Sequence, residues 1–390
     1  MNFNFFSIAI FLMAAVSATS AHIRRAAESY SEGRILLGGP DYIYISRWIP
    51  EAESRFGIRL ERQVSALVSW MAFAPPDRLY VADQSSTLLR LYEINLEDDM
   101  INVKQETEAS SGVVHLEFNK DKTRLFASAY DSGAVDIWNI EGNTLNLMKT
   151  VTTLKEHSEV ASHPHQANLD PTGRFLVVND GGTDSIIIID TKDDVYNIKG
   201  SVDITPSGCG PHHGVFYPQG TDKATAYIVV CEESSDVLVY SVVYDVDQLI
   251  LTHIQTERTF SDDSPPANKS TTSAGGIALM PDNQNLYVSN RMMGNETDYI
   301  SFFRIDIVNS SLPMLSLSGI FPAHGIYPNM ISPSMDGRWL FTANQDGGNA
   351  GAFATKVNID GTLRDGPDVG IWFYLFGEKG SGPRFIEQIR

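Results

Sequence analysis

The feature that most constrains this chain is an internal repeat of short apolar segments. Six stretches share one plan, in which an apolar segment is followed by a polar turn and then by two further apolar segments. Equivalent positions in the second segments recur about every 46 to 60 residues, which is the repeat length of propeller blades. The six units begin at Ser69, Gly112, Pro164, Gly210, Gly275 and Tyr327.

The turns between the segments favour β-structure. Pro171-Thr172-Gly173 and Met335-Asp336-Gly337 supply a tight turn in which glycine adopts a positive φ. Helical periodicity is almost absent, and turn signals return after each short apolar run. Short strands separated by regular turn signals predict an all-β fold.

The two ends of the chain look like parts of one further unit. The stretches Arg34–Trp48, Gly370–Phe376 and Gly382–Ile389 each resemble an incomplete repeat. Joining them in one shared blade would close the ring and hide the edge strands that an open array exposes. We therefore predict a single seven-bladed β-propeller over residues 22–390, closed by its N- and C-terminal segments. Six or eight blades, a β-solenoid and a twin sandwich are the alternatives.

The first 21 residues have the layout of a secretory signal peptide. They carry no charged side chain, and the apolar run Phe5–Val16 is followed by small residues that allow cleavage after Ala18 or Ala21. A buried N-terminal helix is the alternative. The charged C-terminus lacks the apolar tail of a GPI signal. Three sequons, at Asn268, Asn295 and Asn309, favour a glycosylated protein that is secreted, extracellular or bound to the cell wall.

The net charge of −19 restricts the partners of the chain. An acidic surface argues against nucleic acid and against anionic membranes as partners. No other apolar stretch approaches the roughly 20 residues that cross a bilayer. An anionic substrate would need a local patch of positive charge.

Chemically active side chains concentrate where the innermost strands of a propeller begin and where the second strands end. Both positions lie at one mouth of the central channel, and four of the nine histidines fall there. The inner-strand starts carry His163, His165, His212, His213 and Asn329, and the second-strand ends carry Asn179, Glu232, Arg291 and Asn344.

The two cysteines fall at this same mouth. Cys209 precedes the first strand of the fourth unit and Cys231 ends its second strand. Because the start and the end of a β-hairpin are neighbours, a Cys209–Cys231 disulfide is geometrically reasonable. Two separate buried thiols are the alternative.

Five segments resemble the signature segments of the seven-bladed propeller lactonase family, which includes 6-phosphogluconolactonase and the fungal carboxy-cis,cis-muconate cyclase. The similarity spans essentially the whole chain after the leader. The segments read H-P-H-x-x-x-x-D-P-T-G-R-F-L from His163, G-x-G-P-x-H from Gly208, V-x-E-x-S-S-x-V from Val230, L-Y-V-S-N-R from Leu286 and L-F-T-A-N-Q-D from Leu340.

The resemblance implies a site of one histidine, one glutamate and arginines, which fall on His165, Glu232 and Arg291. Two positions depart from the family pattern, because His212 and Asn329 stand where arginines are expected. Arg291 is then the one obvious guanidinium, with His212 as a substitute hydrogen-bond donor that is charged only near pH 6.5 or below. A less charged lactone, or function at acidic pH, fits such a site better than a di- or tri-anionic muconate. His213, Asn329 and Asn344 are further candidates for substrate contact.

Two functions follow as expectations. The first is lactone chemistry, either cyclisation of an unsaturated carboxylate or hydrolysis, with Glu232 or His165 as general acid or base and Arg291 at the oxyanion. The second is an inactive secreted or cell-surface glycoprotein on the same propeller. A WD-type scaffold lacks its Trp-Asp signature. The histidine-rich loops could hold zinc or copper, but their spacing matches no metal motif and the resembled family works without a metal, so neither a metal nor a cofactor is predicted.

Overall fold

The computed structural model describes residues 32–52, 55–153, 160–308, 311–346, 350–364, 369–372 and 380–390. These residues form 26 strands and one 3₁₀ turn, Lys192–Asp194, which confirms the all-β prediction. The predicted signal peptide, residues 1–21, and the sequon residue Asn309 lie outside the described residues. No helix among the described residues is long and apolar enough to span a bilayer.

Five sheets contain four strands each. Their strands are β6 (Val113–Phe118), β7 (Arg124–Ala129), β8 (Ala134–Asn139) and β9 (Asn146–Thr152); β10 (Pro164–Leu169), β11 (Phe175–Asp180), β12 (Ser185–Asp190) and β13 (Asn197–Asp203); β14 (Pro211–Tyr217), β15 (Ala226–Cys231), β16 (Asp236–Tyr244) and β17 (Leu249–Arg258); β18 (Ser273–Leu279), β19 (Asn285–Arg291), β20 (Tyr299–Val308) and β21 (Leu312–Pro322); β22 (Ile326–Pro333), β23 (Trp339–Asp346), β24 (Gly351–Lys356) and β25 (Val369–Trp372). Each sheet is an antiparallel meander in chain order.

The sixth sheet has six strands in the order β26-β1-β2-β3-β4-β5. Its strands are β1 (Gly33–Trp48), β2 (Phe56–Ala74), β3 (Arg78–Asp83), β4 (Leu88–Asn95), β5 (Met100–Glu108) and β26 (Phe385–Gln388). Strand β2 serves two partners, because its residues 56–67 pair with β1 and its residues 68–74 pair with β3. The C-terminal β26 pairs with the start of β1, with Gly38 opposite Phe385.

The sheets are arranged radially around a central channel. The inner strands contact one another in the order β2, β6, β10, β14, β18, β22 and β26, and β26 also contacts β2. This is the architecture of a β-propeller. Hydrogen bonding groups the strands into six sheets, so the predicted count of seven blades depends on how the six-stranded sheet is divided.

Burial explains why the second segment of each repeat is continuously apolar. All six residues of β11 and of β15 are buried, because neighbouring sheets cover both of their faces. The outer strand β13 is exposed at six of its seven residues and is correspondingly polar. The predicted turn at Gly173 forms with a φ of 81°, and the Asp170 carboxylate accepts the backbone N–H groups of Thr172 and Arg174.

The two described sequon residues differ in exposure. Asn268 is exposed, and Asn295 is half-buried. An oligosaccharide needs an accessible side chain, so Asn268 is the better placed of the two. Glycosylation stays a prediction.

Candidate active site

A cavity of about 300 Å³ lies at the predicted mouth of the central channel. This volume is at the lower end of the range for small-molecule sites. Its polar lining includes His165, His212, His213, Glu232, Arg291 and Asn329. Six of the seven candidate chemical residues therefore meet at one cavity, although they come from four different sheets.

A ring of β-bulges builds the lining. Each of the six inner strands from β2 to β22 shifts register, five of them close to their starts and β2 where its pairing with β3 begins. A bulge places two residues opposite one and turns an extra side chain out of the ladder. The residues at these shifts that line the cavity are Ser69, Val114, His165, His212, His213 and Asn329.

The bulge in β14 explains how two consecutive histidines face the same cavity. Side chains normally alternate between the two faces of a strand. Between Pro211, which pairs with Cys231, and Gly214, which pairs with Val229, β14 contains one residue more than β15. His212 and His213 therefore both reach the cavity, their ring centroids 4.3 Å apart.

The hydrogen bond of His212 assigns its tautomer. Its Nδ1 lies 3.1 Å from the carbonyl oxygen of Gly275, and because a carbonyl can only accept, Nδ1 must carry the hydrogen. The Nε2 atom of the neutral ring is then an acceptor, 3.8 Å from Oε2 of Glu232. The expectation that His212 replaces an arginine as a donor is therefore wrong for the neutral ring.

The three cavity histidines are held neutral at physiological pH. Burial, together with the charge of Arg291 and the neighbouring imidazoles, lowers the pKa of His165 and of His212 well below its ordinary value. Burial and Arg291 lower the pKa of His213 to about 3. The rings of His165 and His212 pack against each other, with centroids 3.6 Å apart and planes tilted by 33°. They supply no positive charge at pH 7, contrary to the role considered for His212.

Arg291 is a buried cation with a fixed set of partners. Its Nη2 donates to the carboxylate of Glu232 and to the carbonyl oxygen of Ala274, the latter at 2.9 Å. The guanidinium also lies over the ring of Tyr327, 5.0 Å from the centroid, in a cation–π contact. These contacts fix its orientation toward the cavity, and Glu232 balances its charge.

A second arginine, Arg384, lines the cavity and was missed by the sequence analysis. It directly precedes β26, and its Nη1 donates to the side-chain oxygen of Gln84 over 3.2 Å. The expectation that Arg291 is the one guanidinium of the site is therefore wrong. A signal was present in the sequence, because Gly382-Pro383-Arg384 precedes an inner strand as Gly210-Pro211-His212 opens another.

Two asparagines were candidates for substrate contact, and the structure separates them. Asn329 lines the cavity and donates through Nδ2 to the backbone oxygen of Arg384 over 3.0 Å. Asn344 does not line it. The side chain of Asn344 is fully buried and donates to the carbonyl oxygen of Ala323 over 2.8 Å, so its place corresponds to a structural role.

The predicted disulfide between Cys209 and Cys231 is confirmed, with the two Cα atoms 4.6 Å apart. Cys231 directly precedes Glu232, whose backbone N–H donates to the carbonyl oxygen of Gly210. The bridge and this hydrogen bond tie Glu232 to the loop that leads into His212. The disulfide therefore positions two cavity residues.

The histidine cluster also resembles part of a metal site. His165, His212 and His213 each offer a nitrogen within 4.8 Å of the others. The nearby charge of Arg291 opposes a bound cation. The absence of a metal stays a prediction.

Comparison with known proteins gives a consistent result. The model of a family described as "Lactonase, 7-bladed beta-propeller" matches residues 57–366. The chain is 29% identical over 305 residues to "Probable 6-phosphogluconolactonase" of Arthroderma benhamiae, covering 74% of each chain. It is 25% identical over 261 residues to the 6-phosphogluconolactonase of Yersinia pestis, covering 66% of this chain and 73% of that one.

A solved structure shares the architecture. The periplasmic gluconolactonase of Pseudomonas aeruginosa superposes with a TM-score of 0.76 at 19% identity, covering 92% of this chain and 99% of that one. At this identity the likeness concerns the fold.

Proposed function

This chain belongs to the lactonase family of seven-bladed β-propellers, and from that premise we propose that it hydrolyses a small-molecule lactone in the cavity described above. The observation that carries the proposal is the meeting of His165, His212, Glu232 and Arg291 at one cavity of about 300 Å³. A hydrolytic site needs a base for water, a charge for the oxyanion and a space for the ring between them.

We further propose that the six-stranded sheet counts as two blades, which gives seven in total. The pairing of β2 with β1 in one half and with β3 in the other supports this division. The pairing of β26 with β1 and its contact with β2 support closure by the two ends of the chain.

Glu232 and His212 are suited to activate water together. Oε2 of Glu232 and Nε2 of His212 are both acceptors, and they lie 3.8 Å apart. One water molecule can donate a hydrogen bond to each of two acceptors at this separation. When its oxygen attacks the lactone carbonyl carbon, the released proton passes to one of these two acceptors, which acts as the general base.

Arg291 then stabilises the tetrahedral intermediate. Its charge is permanent, and its contacts with Glu232, Ala274 and Tyr327 hold it in place before the reaction. Such preorganised charge at a developing oxyanion lowers the barrier. As the bond from the carbonyl carbon to the ring oxygen breaks, the same proton moves to that oxygen and gives the hydroxy acid. His165 packs against the ring of His212, with ring centroids 3.6 Å apart, and limits its movement.

The proposal is tested by turnover of a panel of lactones at pH 5 and 7.5, together with cyclisation of carboxy-cis,cis-muconate. Glu232→Gln removes one of the two acceptors and should lower kcat/KM about a hundredfold or more. Glu233→Gln is the matched control, because Glu233 is the exposed neighbour of Glu232 and lies outside the cavity lining. Equal rates in the wild type and Glu232→Gln would contradict the proposed role.

The same panel separates this proposal from the alternative, an inactive secreted or cell-wall glycoprotein. The exposed side chain of Asn268 is compatible with glycosylation under both proposals, the lactonase and the inactive glycoprotein. Expression of the full chain in a eukaryotic host, followed by glycosidase treatment of the medium and of the cell-wall fraction, tests secretion. Retention on the cell wall without turnover of any compound in the panel would favour the alternative.

A further inference from the structure

Arg384 is half-buried and, unlike the buried arginines Arg90 and Arg291, it makes no ion pair with the described residues, although the carboxylate of Asp346 acts on it at longer range. Buried Arg90 pairs with Asp83 and Glu106, and Arg291 pairs with Glu232. Among the residues that the structure describes, no carboxylate lies within ion-pair distance of Arg384. Its Nε is buried without a hydrogen-bond partner, and its Nη1 reaches only the neutral amide of Gln84.

An unpaired guanidinium in such a place is unfavourable for the folded protein. Removing a cation from water without an opposite charge has a large desolvation cost. Burial lowers the pKa of Arg384 below its usual value, which is a further sign of that cost. The group also faces a cavity, so an anion entering the cavity would supply the missing partner.

The charges around the cavity distinguish Arg384 from Arg291. Glu232 neutralises Arg291, and the three histidines are uncharged at pH 7. Arg384 is therefore the one cation in the described lining whose charge is not balanced there. The protein as a whole is strongly acidic, with a net charge of −19, and therefore repels anions. Within the cavity, the charge that attracts an anion is that of Arg384.

The position of Arg384 is also fixed. Asn329 donates to its backbone oxygen over 3.0 Å, and the N–H of Arg384 donates to the carbonyl oxygen of Gly38 over 2.7 Å. The next residue, Phe385, is fully buried. These contacts fix the backbone of Arg384, and the hydrogen bond of Nη1 to Gln84 holds the guanidinium at the cavity before any ligand arrives, as a binding group requires.

We propose that Arg384 binds an anionic substituent of the substrate, a carboxylate or a phosphate, while Arg291 faces the reacting carbonyl. This inference rests on the proposed lactone hydrolysis. It makes the C-terminal segment part of the substrate-binding site and Arg384 a determinant of specificity. The substrate class is then a lactone with one anionic group away from the ring carbonyl, and a planar guanidinium can accept either anion through two hydrogen bonds.

The test compares lactones that differ in charge. Steady-state kinetics are measured with three lactones. 6-Phosphogluconolactone carries a phosphate, gluconolactone is neutral and muconolactone carries a carboxylate. Arg384→Gln should raise KM for the preferred charged lactone about tenfold more than KM for gluconolactone, because a charge-assisted contact is lost. Arg384→Lys should restore part of the difference. Arg338→Gln, which changes an exposed arginine at the protein surface, should leave the ratio unchanged.

An equal change of KM for the charged and the neutral lactones would overturn the proposal, as would no change at all. Thermal unfolding of each variant identifies any that has failed to fold. If Arg384→Gln is unfolded, Arg384→Lys is compared with the wild type in its place. If the wild type hydrolyses no lactone, calorimetric titration with 6-phosphogluconate and with inorganic phosphate tests anion binding at Arg384 directly. Binding that is lost in Arg384→Gln but kept in Glu232→Gln supports the anion site alone, and no binding to the wild type overturns it.

Discussion

His213 is an imidazole that the folded protein keeps from binding a proton. Burial and the charge of Arg291 lower its pKa to about 3, whereas the unfolded chain binds a proton at this residue near pH 6.5. Between these two values the unfolded state holds more protons, so the folded state loses stability as the pH falls. For a drop from pH 7 to 5, this single residue should contribute a loss of about 2 kcal/mol.

Urea unfolding of the wild type and His213→Gln at both pH values measures this contribution. The comparison with the variant is needed because Glu117, whose pKa burial raises to about 8, has the opposite effect on stability. The glutamine cannot titrate, so the variant should lose about 2 kcal/mol less than the wild type on acidification. An identical loss in both proteins would mean that His213 is protonated as readily in the folded state as in the unfolded one.

For single residues, the sequence predicted which side chains line the cavity better than it predicted their tautomers and charges. The motifs located His165, Glu232 and Arg291, and the structure brings all three to one cavity. The tautomer of His212 could not be predicted, because the carbonyl that decides it belongs to Gly275, 63 residues away. The importance of Arg384 was hidden for a related reason, since the lack of an ion-pair partner among the described residues is visible only when all the neighbours are in place.

Strands and their irregularities determine which side chains share the cavity. A regular strand would send His212 and His213 to opposite faces. The bulge in β14, repeated at the same level in the other inner strands, turns the extra residues toward the channel. The sequence shows where the inner strands begin but not where their register shifts, because a bulge depends on the pairing partner as well as on the strand itself.

The Cys209–Cys231 disulfide should stabilise this element. It closes a loop with a sequence separation of 22 residues, and a crosslink of this length restricts the unfolded chain by about 3 kcal/mol. Replacing both cysteines by alanine should lower the free energy of unfolding by about that amount. It should also lower kcat/KM, because Glu232 loses its covalent tie to the loop before His212.

Urea unfolding with and without a reducing agent measures the predicted loss in the free energy of unfolding. Reduction should destabilise the wild type as the double substitution does, and it should leave the double variant unchanged. A stability loss without any kinetic change would limit the bridge to a structural role.

Over the whole molecule, the repeat length predicted the all-β propeller, since units of this size stack around a common axis. The division of the first sheet was not predictable. Strand β2 runs for 19 residues through two pairing partners, and no glycine or proline between Arg59 and Ala74 marks where one partner gives way to the other. The incomplete repeats at the two ends predicted that these ends meet, but not which strands pair, because that pairing joins residues more than 300 positions apart.

The proposed closure of the ring can be tested at Phe385, the first residue of β26. Its side chain is fully buried and lies edge-on against Trp70 of β2, with ring centroids 5.4 Å apart. Phe385→Ala should lower the free energy of unfolding by about 3–5 kcal/mol, as large core truncations do. The exposed Ile359→Ala is the control and should change it by less than about 0.5 kcal/mol.

Urea unfolding followed by tryptophan fluorescence measures both variants. If the ends of the chain hold the ring together, Phe385→Ala should weaken the whole domain in one transition, because β26 contacts inner strands from both ends of the chain. A separate early transition, with the main one unchanged, would mean that the C-terminal strand only covers an array that is stable without it. Arg384 would then leave the cavity with that strand, and the proposed anion site would be lost before the fold.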